Sequence, residues 1–278
     1  MSDTINLHYD VSTEDCPRAG EASGDLHGSN LIKGLLAQDP GAVFRLWGGD
    51  LMLDASAGKG TLVRHYREGA VMGFTDVLAK AGKLLSNLSN CKKDILEWKP
   101  DAVILIDYPG FNFKIAEFAH AHGLRVFYYI APKTWASREG RNRKLKKYVD
   151  GLYIVFPFEK EYFTKKGIPF VYEGNPLVDA VDSHEFSCPS DEKYIAVLPG
   201  SRKGEISRMM PVCMEVADRL GCKVLIAGAP ARTSEDYVKF IGDRKNVTLM
   251  FGRTYDILKY SEAAVINSGT ASLEAALM

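Results

Sequence analysis

The sequence contains no run approaching the roughly 18 consecutive apolar residues that a membrane-spanning helix needs, and its first thirty residues lack the basic-then-apolar order of a secretory signal peptide. These absences argue against a transmembrane or exported protein. Cysteine is scarce and scattered: Cys16, Cys91, Cys188, Cys213 and Cys222 make an odd total of 5 with no C-x-x-C pair. That pattern suits neither a disulfide framework nor a zinc knuckle and points to a reducing cytoplasm. Excess charge is absent too, because 35 Lys and Arg balance 35 Asp and Glu. The chain as a whole therefore has no field with which to hold a nucleic-acid backbone, and any anionic partner must meet a local patch. Neither G-x-G-x-x-G nor G-x-x-x-x-G-K-[ST] occurs, which removes the usual dinucleotide and P-loop readings. His27, His65, His120, His122 and His184 show no ligand spacing, and there is no Asp-x-Asp pair of the metal-dependent sugar-nucleotide type, so no metal or cofactor is expected.

What is present is an ordinary globular composition over 278 residues, 46% hydrophobic and 25% charged, enough chain for about two domains. From residue 28 onward, short β-rich apolar runs alternate with stretches of helical period, the mark of βαβ units and a parallel sheet. Strands are predicted at 42–47, 62–66, 102–107, 125–130, 152–156 and 170–173, then at 194–198, 223–227, 247–250 and 263–266. Val103-Ile104-Leu105-Ile106 is apolar on both faces, as a strand covered by helices on each side must be. The longest helix is predicted over about 75–98, with Val77, Ala81, Leu84, Leu88, Cys91, Ile95 and Trp98 on one face. Periodicity lapses between about 178 and 192, which divides the chain into a doubly wound domain over 1–180 and a second α/β domain over 190–278. The polar run Ser12 to Arg18, with Pro17, leaves the opening strand weak or absent. The chain stops inside an amphipathic run at Met278 without a cap, which reads as a truncated second domain.

Open α/β sheets bind ligands at the carboxyl ends of their strands, so four loops carry the chemical interest. The first, Gly20-Glu21-Ala22-Ser23-Gly24-Asp25-Leu26-His27-Gly28, offers close backbone approach before a helix starting near Ser29; the same spacing suits a plain tight turn. In the second, Asp107-Tyr108-Pro109-Gly110-Phe111-Asn112, a carboxylate ends a buried strand, where it can act as a general base or cap the next helix. The third, Leu198-Pro199-Gly200-Ser201-Arg202-Lys203-Gly204-Glu205, opens a helix near Glu205, and its amides together with Arg202 suit a diphosphate. The fourth, Asn267-Ser268-Gly269-Thr270-Ala271-Ser272-Leu273-Glu274, could hold a phosphate while Glu274 accepts from a sugar hydroxyl, or could be a Ser/Thr cap.

Residues 138–147 hold six basic side chains and one acid, close behind Tyr128, Tyr129 and Trp135. Such a run is either a solvated helix face or a seat for anionic lipid headgroups. The segment Met72-Gly73-Phe74-Thr75-Asp76-Val77-Leu78 is either core or a membrane-facing edge.

In order along the chain, GEASGDLHG (20–28), WGGDLM (47–52), MGF (72–74), Pro100-Asp101, DYPGFN (107–112), YIAPKTW (129–135), PFE (157–159), GNPL (174–177), LPGSR (198–202), and SGT (268–270) with Leu273-Glu274 resemble the bacterial lipid-A-disaccharide synthase family. The resemblance implies a GT-B glycosyltransferase with two Rossmann-like domains. The first would bind the acceptor and the second, incomplete here, the UDP-sugar. It implies transfer of 2,3-diacylglucosamine from UDP to the 6-hydroxyl of 2,3-diacylglucosamine 1-phosphate. Asp107 is then the candidate base and Ser23 and Asn112 line the acceptor side. Ser201, Arg202, Glu205, Ser268, Gly269, Thr270 and Glu274 hold the donor without a metal. It also implies peripheral contact with an anionic membrane at the cytoplasmic face of the inner membrane, no nucleic acid, and a homodimer where the C-terminus is complete. Some relatives carry an acid where this chain has Gly110, and many carry His where it has Asn175, so neither position supplies a proton here. A UDP-N-acetylglucosamine 2-epimerase-like enzyme and an inactive glycolipid- or UDP-binding paralogue are the alternative readings.

Overall fold

A computed structural model describes residues 4–8, 21–65, 77–230, 232–267 and 269–278. Its contacts divide the chain into two compact units, one containing Ser23–Pro176 and the other Leu177–Met278.

The first unit is built on a six-stranded sheet whose pairings are all parallel: β1 (Thr4–His8), β2 (Val43–Gly48), β3 (Gly60–His65), β4 (Ala102–Ile106), β5 (Arg125–Tyr129) and β6 (Gly151–Tyr153). Their spatial order is β3-β2-β1-β4-β5-β6. This is the doubly wound order whose direction reverses between β1 and β4. Strand β4 shows why the sheet needs cover on both sides. Val103 and Leu105 enter one buried cluster with Phe111, Phe113, Ile115 and Tyr128, while Ile104 and Ile106 enter another with Ile32, Phe44, Leu46 and Met52. Alternate side chains of a strand point to opposite faces, so an unbroken apolar run supplies two cores. The helices are α1 (Glu21–Gln38), α2 (Asp50–Ala55), α3 (Val77–Trp98), α4 (Pro109–Ala121), α5 (Asn142–Tyr148) and α6 (Glu159–Lys165).

The second unit opens with α7 (Pro176–Asp182) at the division. It repeats the scheme with β7 (Tyr194–Leu198), α8 (Lys203–Leu220), β8 (Lys223–Gly228), α9 (Glu235–Ile241), β9 (Val247–Phe251), α10 (Thr254–Lys259), β10 (Ala263–Ile266) and α11 (Thr270–Ala276). The all-parallel order is β10-β7-β8-β9, so this sheet reverses between β7 and β10. Val224 and Ile226 of β8 face one cluster, and Leu225 and Ala227 the other.

Three sequence expectations are corrected. The opening strand is present: β1 pairs with β2 and with β4, at the centre of its sheet. Thr-Ile-Asn-Leu-His is short and half polar, so a search for unbroken apolar runs passes over it. The predicted strand at 170–173 reduces to a single bridge between Val171 and Tyr153, beside Pro169, whose nitrogen has no hydrogen to donate to a ladder. The helix expected near Ser29 starts at Glu21, so most of the first glycine-containing loop lies inside α1.

Candidate active site

At the carboxyl end of β4 the chain makes a turn that few sequences tolerate. Asp107 and Tyr108 both adopt left-handed conformations, with φ of 46° and 34°, before Pro109 opens α4. Consecutive non-glycine residues in that region are strained. Three contacts hold the turn. The Asp107 amide donates to the Tyr129 carbonyl at 3.2 Å, the Tyr128 hydroxyl donates to the Asp107 carbonyl, and Asn112 Nδ2 donates to the carbonyls of Asp107 at 2.9 Å and Ile106 at 3.1 Å. Asn112 is fully buried, so its place is beneath the turn, bracing it. Burial raises the Asp107 carboxyl pKa above its ordinary value, opposed by the positive charge of Lys133 and by the Tyr108 amide. A carboxyl displaced in that direction has more basic strength than a solvated one, as a general base requires. Burial also pushes the Tyr128 phenol well up, with the Asp107 charge acting in the same direction, so Tyr128 remains a donor.

The glycine-containing motif of α1 does different work. Asp25 is buried, and its carboxylate accepts from the amides of Leu51 and Met52, both at 3.1 Å, at the start of α2. It caps another helix. Gly28 has no room for a side chain: an added Cβ would lie 2.7 Å from Met52 Sδ, and one at Gly48 would meet the same atom. GEASGDLHG and WGGDLM are thus two sides of one packed joint. The backbone of Ser23 lies in the first turn of α1. His27 is buried, and desolvation lowers its pKa to about 4, so it stays neutral.

In the second unit, the loops after β7 and β10 are physically joined. Asn267 donates its amide to the Leu198 carbonyl at 2.9 Å and its Nδ2 to the Pro199 carbonyl at 3.3 Å. Gly200 has φ 109°, and an added Cβ there would lie 2.6 Å from Glu205 Oε2. Glu205 is a clamp on the loop: Oε2 accepts from the amides of Ser201 at 3.1 Å and Arg202 at 3.3 Å, and Oε1 accepts from Arg202 Nη1 at 2.7 Å. The amides expected to receive a diphosphate therefore already hold a carboxylate, and Arg202 is presented by an ion pair. Gly269, with φ 135°, precedes α11. Ser268 lies outside the described residues, and for Thr270 the backbone alone is described. Glu274, half-buried, accepts from the Tyr255 hydroxyl at 3.0 Å, and burial raises its pKa.

The structure therefore gathers Asp107 and Asn112 at the reversal of the first sheet. It gathers Ser201, Arg202 and Glu205 at the reversal of the second, with Gly269 on the loop that leaves β10. Sequence reasoning missed Tyr128, Lys133 and the joining role of Asn267. Tyr128 was within reach, because it stands on the strand next to β4, opposite Leu105 and two residues before Asp107 in the β4–β5 register.

The basic run folds as a 3-10 turn (Glu139–Arg141) followed by α5. Part of its charge serves packing: Arg141 lies 5.9 Å from the Phe113 ring centre and Lys144 pairs with Glu117 at 3.8 Å. Arg143, Lys146 and Lys166 line a shallow cleft with Glu139 and Asn142. The 72–76 part of the apolar segment lies outside the described residues. No helix among the described residues is long and apolar enough to cross a membrane.

A family model described as lipid-A-disaccharide synthetase matches residues 18–278. The chain belongs to the lipid-A-disaccharide synthetase family. The lipid-A-disaccharide synthase of Syntrophus aciditrophicus is 38% identical over 275 residues, covering 94% of this chain and 71% of its own length. That of Myxococcus xanthus is also 38% identical, with the same coverage. Among solved structures, UDP-GlcNAc 2-epimerase from Methanocaldococcus jannaschii, in complex with UDP-GlcNAc and UDP, superposes with a TM-score of 0.61. Its identity is 16%, covering 100% of this chain and 82% of that one. The Neisseria meningitidis enzyme bound to UDP-GlcNAc gives 0.63 at 12% identity, covering 97% and 78%. The likeness to the epimerases is one of fold, the GT-B class of two Rossmann-like parallel sheets, whereas the sequence identity lies with the synthases. As a member of the lipid-A-disaccharide synthetase family, the chain is a glycosyltransferase.

Proposed function

We propose that this chain joins two acylated glucosamines by inverting transfer. The 2,3-diacylglucosaminyl group of its UDP conjugate passes to the 6-hydroxyl of 2,3-diacylglucosamine 1-phosphate, giving a β-1,6-linked disaccharide 1-phosphate and UDP. The observation that carries this reading is the position of the two motif sets. Asp107 leaves the sheet at the β1/β4 reversal and LPGSR at the β7/β10 reversal, where doubly wound sheets take their ligands. Asp107 accepts the proton of the acceptor hydroxyl while that oxygen bonds to the anomeric carbon and the bond to the UDP oxygen breaks. Arg202 stabilises the charge that develops on the departing diphosphate, exchanging Glu205 for it as partner. Ser201 and the Ser268 to Thr270 loop bind the same group, and Glu274 a hydroxyl of the donor. Ser23 and the Asp107 turn braced by Asn112 form the acceptor side. No metal is required in this scheme, because a fixed guanidinium supplies the positive charge.

The same reading places the protein at the cytoplasmic face of the inner membrane, with Arg143, Lys146 and Lys166 facing anionic headgroups. The test is acceptor-dependent release of UDP from purified protein given both acylated substrates in detergent with EDTA. Release with disaccharide formation supports the reaction and its metal independence. Release restored by a divalent cation alone would overturn the metal-free scheme, and UDP release without disaccharide would overturn the transfer.

A further inference from the structure

The segments that follow β5 and β6 carry an exposed aromatic corner that the reaction scheme leaves unused. Trp135 is 39% exposed and Phe158 51% exposed. Their rings meet edge to face, with centroids 4.8 Å apart at 89°, and Phe156 stacks on Phe158 at 5.5 Å and 16°. Large apolar side chains exposed singly are unremarkable, but these are contiguous. Beneath them Glu159, 1% exposed, accepts from Trp135 Nε1 at 3.0 Å and from the amides of Val155 and Phe156 at 3.1 and 3.0 Å. A buried carboxylate is costly to desolvate, and here all three of its donors come from the segments that present the rings. Lys133 links the corner to the candidate base. Lys133 Nζ lies 5.9 Å from the Phe156 ring centre, and its charge acts on Asp107.

The geometry decides among occupants. Phe156 and Phe158 stack on one another and Trp135 meets Phe158 edge to face, so the three rings are turned toward each other and form an angle rather than one flat platform. It offers an apolar angle with a cation beside it, which suits a hydrocarbon chain attached to a phosphorylated head. Resting on the glycosyltransferase reading above, we propose that Trp135, Phe156 and Phe158 seat an acyl chain of the acceptor while its hydroxyl reaches Asp107. Trp135 and Phe158 thereby select acylated over unacylated sugar phosphate.

The test uses the full chain and two readouts. Tryptophan emission is followed on adding diacylglucosamine 1-phosphate below its micelle concentration, glucosamine 1-phosphate, or anionic vesicles without sugar phosphate, with Trp135→Phe to assign the signal. A blue shift produced by the acylated acceptor and lost in Trp135→Phe is expected. In Phe158→Ser, KM for the acylated acceptor is expected to rise about tenfold while kcat and UDP affinity hold. A shift of equal size with glucosamine 1-phosphate, or with the vesicles, would overturn the acyl-chain seat, the latter in favour of a membrane contact. An unchanged KM in a folded, UDP-binding Phe158→Ser would overturn it as well. If the wild type turns nothing over, the transfer reading fails and the fluorescence arm alone decides the seat.

Discussion

Asp107 is held where its own backbone would not go. Left-handed conformations at Asp107 and Tyr108 cost on the order of 1–3 kcal/mol each. The three hydrogen bonds from Tyr128 and Asn112 return about 0.5–1.5 kcal/mol apiece, together of the same order as the strain they hold. Tyr128→Phe is expected to cost about 1 kcal/mol of stability, read by urea unfolding, and to lower kcat more than it raises KM, because it frees the turn that carries the proposed base. Lys133 acts on the same carboxyl through charge alone. It lowers the Asp107 pKa against the larger effect of burial, while the Asp107 charge in turn acts on the Tyr128 phenol, on which the Arg141 charge acts in the opposite direction. Removing Lys133 removes a lowering influence, so the carboxyl titrates at higher pH. Since the base works deprotonated, the acidic limb of kcat/KM in Lys133→Met is expected to move to higher pH, with activity on the alkaline side retained. A limb that stays in place or moves to lower pH would separate Lys133 from Asp107.

Between elements, the joint of α1, α2 and β2 shows how a motif that looks like ligand chemistry serves packing. Asp25 caps α2, and Gly28 and Gly48 flank the fully buried Met52. In Gly28→Ala two effects compete. Alanine in a helix interior gains about 1 kcal/mol over glycine, while an added methyl in a tight core costs about 1–3 kcal/mol. With Met52 Sδ only 2.7 Å from the new carbon, the second effect wins, and a lowered Tm is expected; a raised Tm would show that Met52 moves aside freely. The same joint marks how far the sequence could be read. Alternating apolar runs located nine of the ten strands among the described residues, and β4 was legible because its both-faces-apolar run is short and rich in β-branched residues. Strand β1 was not, since five residues with polar alternation carry too little periodicity. Asp25 stands inside a segment the sequence marks, but its role as a cap was not legible, because its partner amides lie 26 and 27 residues away and only the folded chain names them. Glu205 was singled out for the donor, but its clamping role escaped for the opposite reason: its partners are so near in sequence that a local clamp and a ligand site look alike.

At the scale of the whole chain, two sheets of the same winding each place chemistry at one reversal, the carboxylate at β1/β4 and the guanidinium at β7/β10. If each unit serves one substrate, lesions in them should separate cleanly. Arg202→Ala removes a charged hydrogen-bonding group worth about 1.5–3 kcal/mol to a diphosphate, so UDP affinity should fall by roughly 10- to 150-fold in titration calorimetry. That variant also frees Glu205 to hold the loop amides without a counter-ion, which adds repulsion toward the incoming anion and places the loss at the upper end. Asp107→Asn keeps the shape of the turn, because the bonds from Tyr128 and Asn112 and the bond to Tyr129 run to backbone atoms of residue 107, and an Asn Oδ1 still accepts from the Tyr108 amide that meets the carboxyl. UDP affinity should therefore be unchanged while kcat falls by about 10²- to 10⁴-fold, the usual worth of a positioned base. The discriminating comparison is the pair of variants under both assays. Loss of UDP affinity in Asp107→Asn would mean that the carboxyl supports the fold rather than the proton transfer. Full UDP affinity in Arg202→Ala would mean that the guanidinium exists for Glu205 and that the donor is held elsewhere on the second sheet.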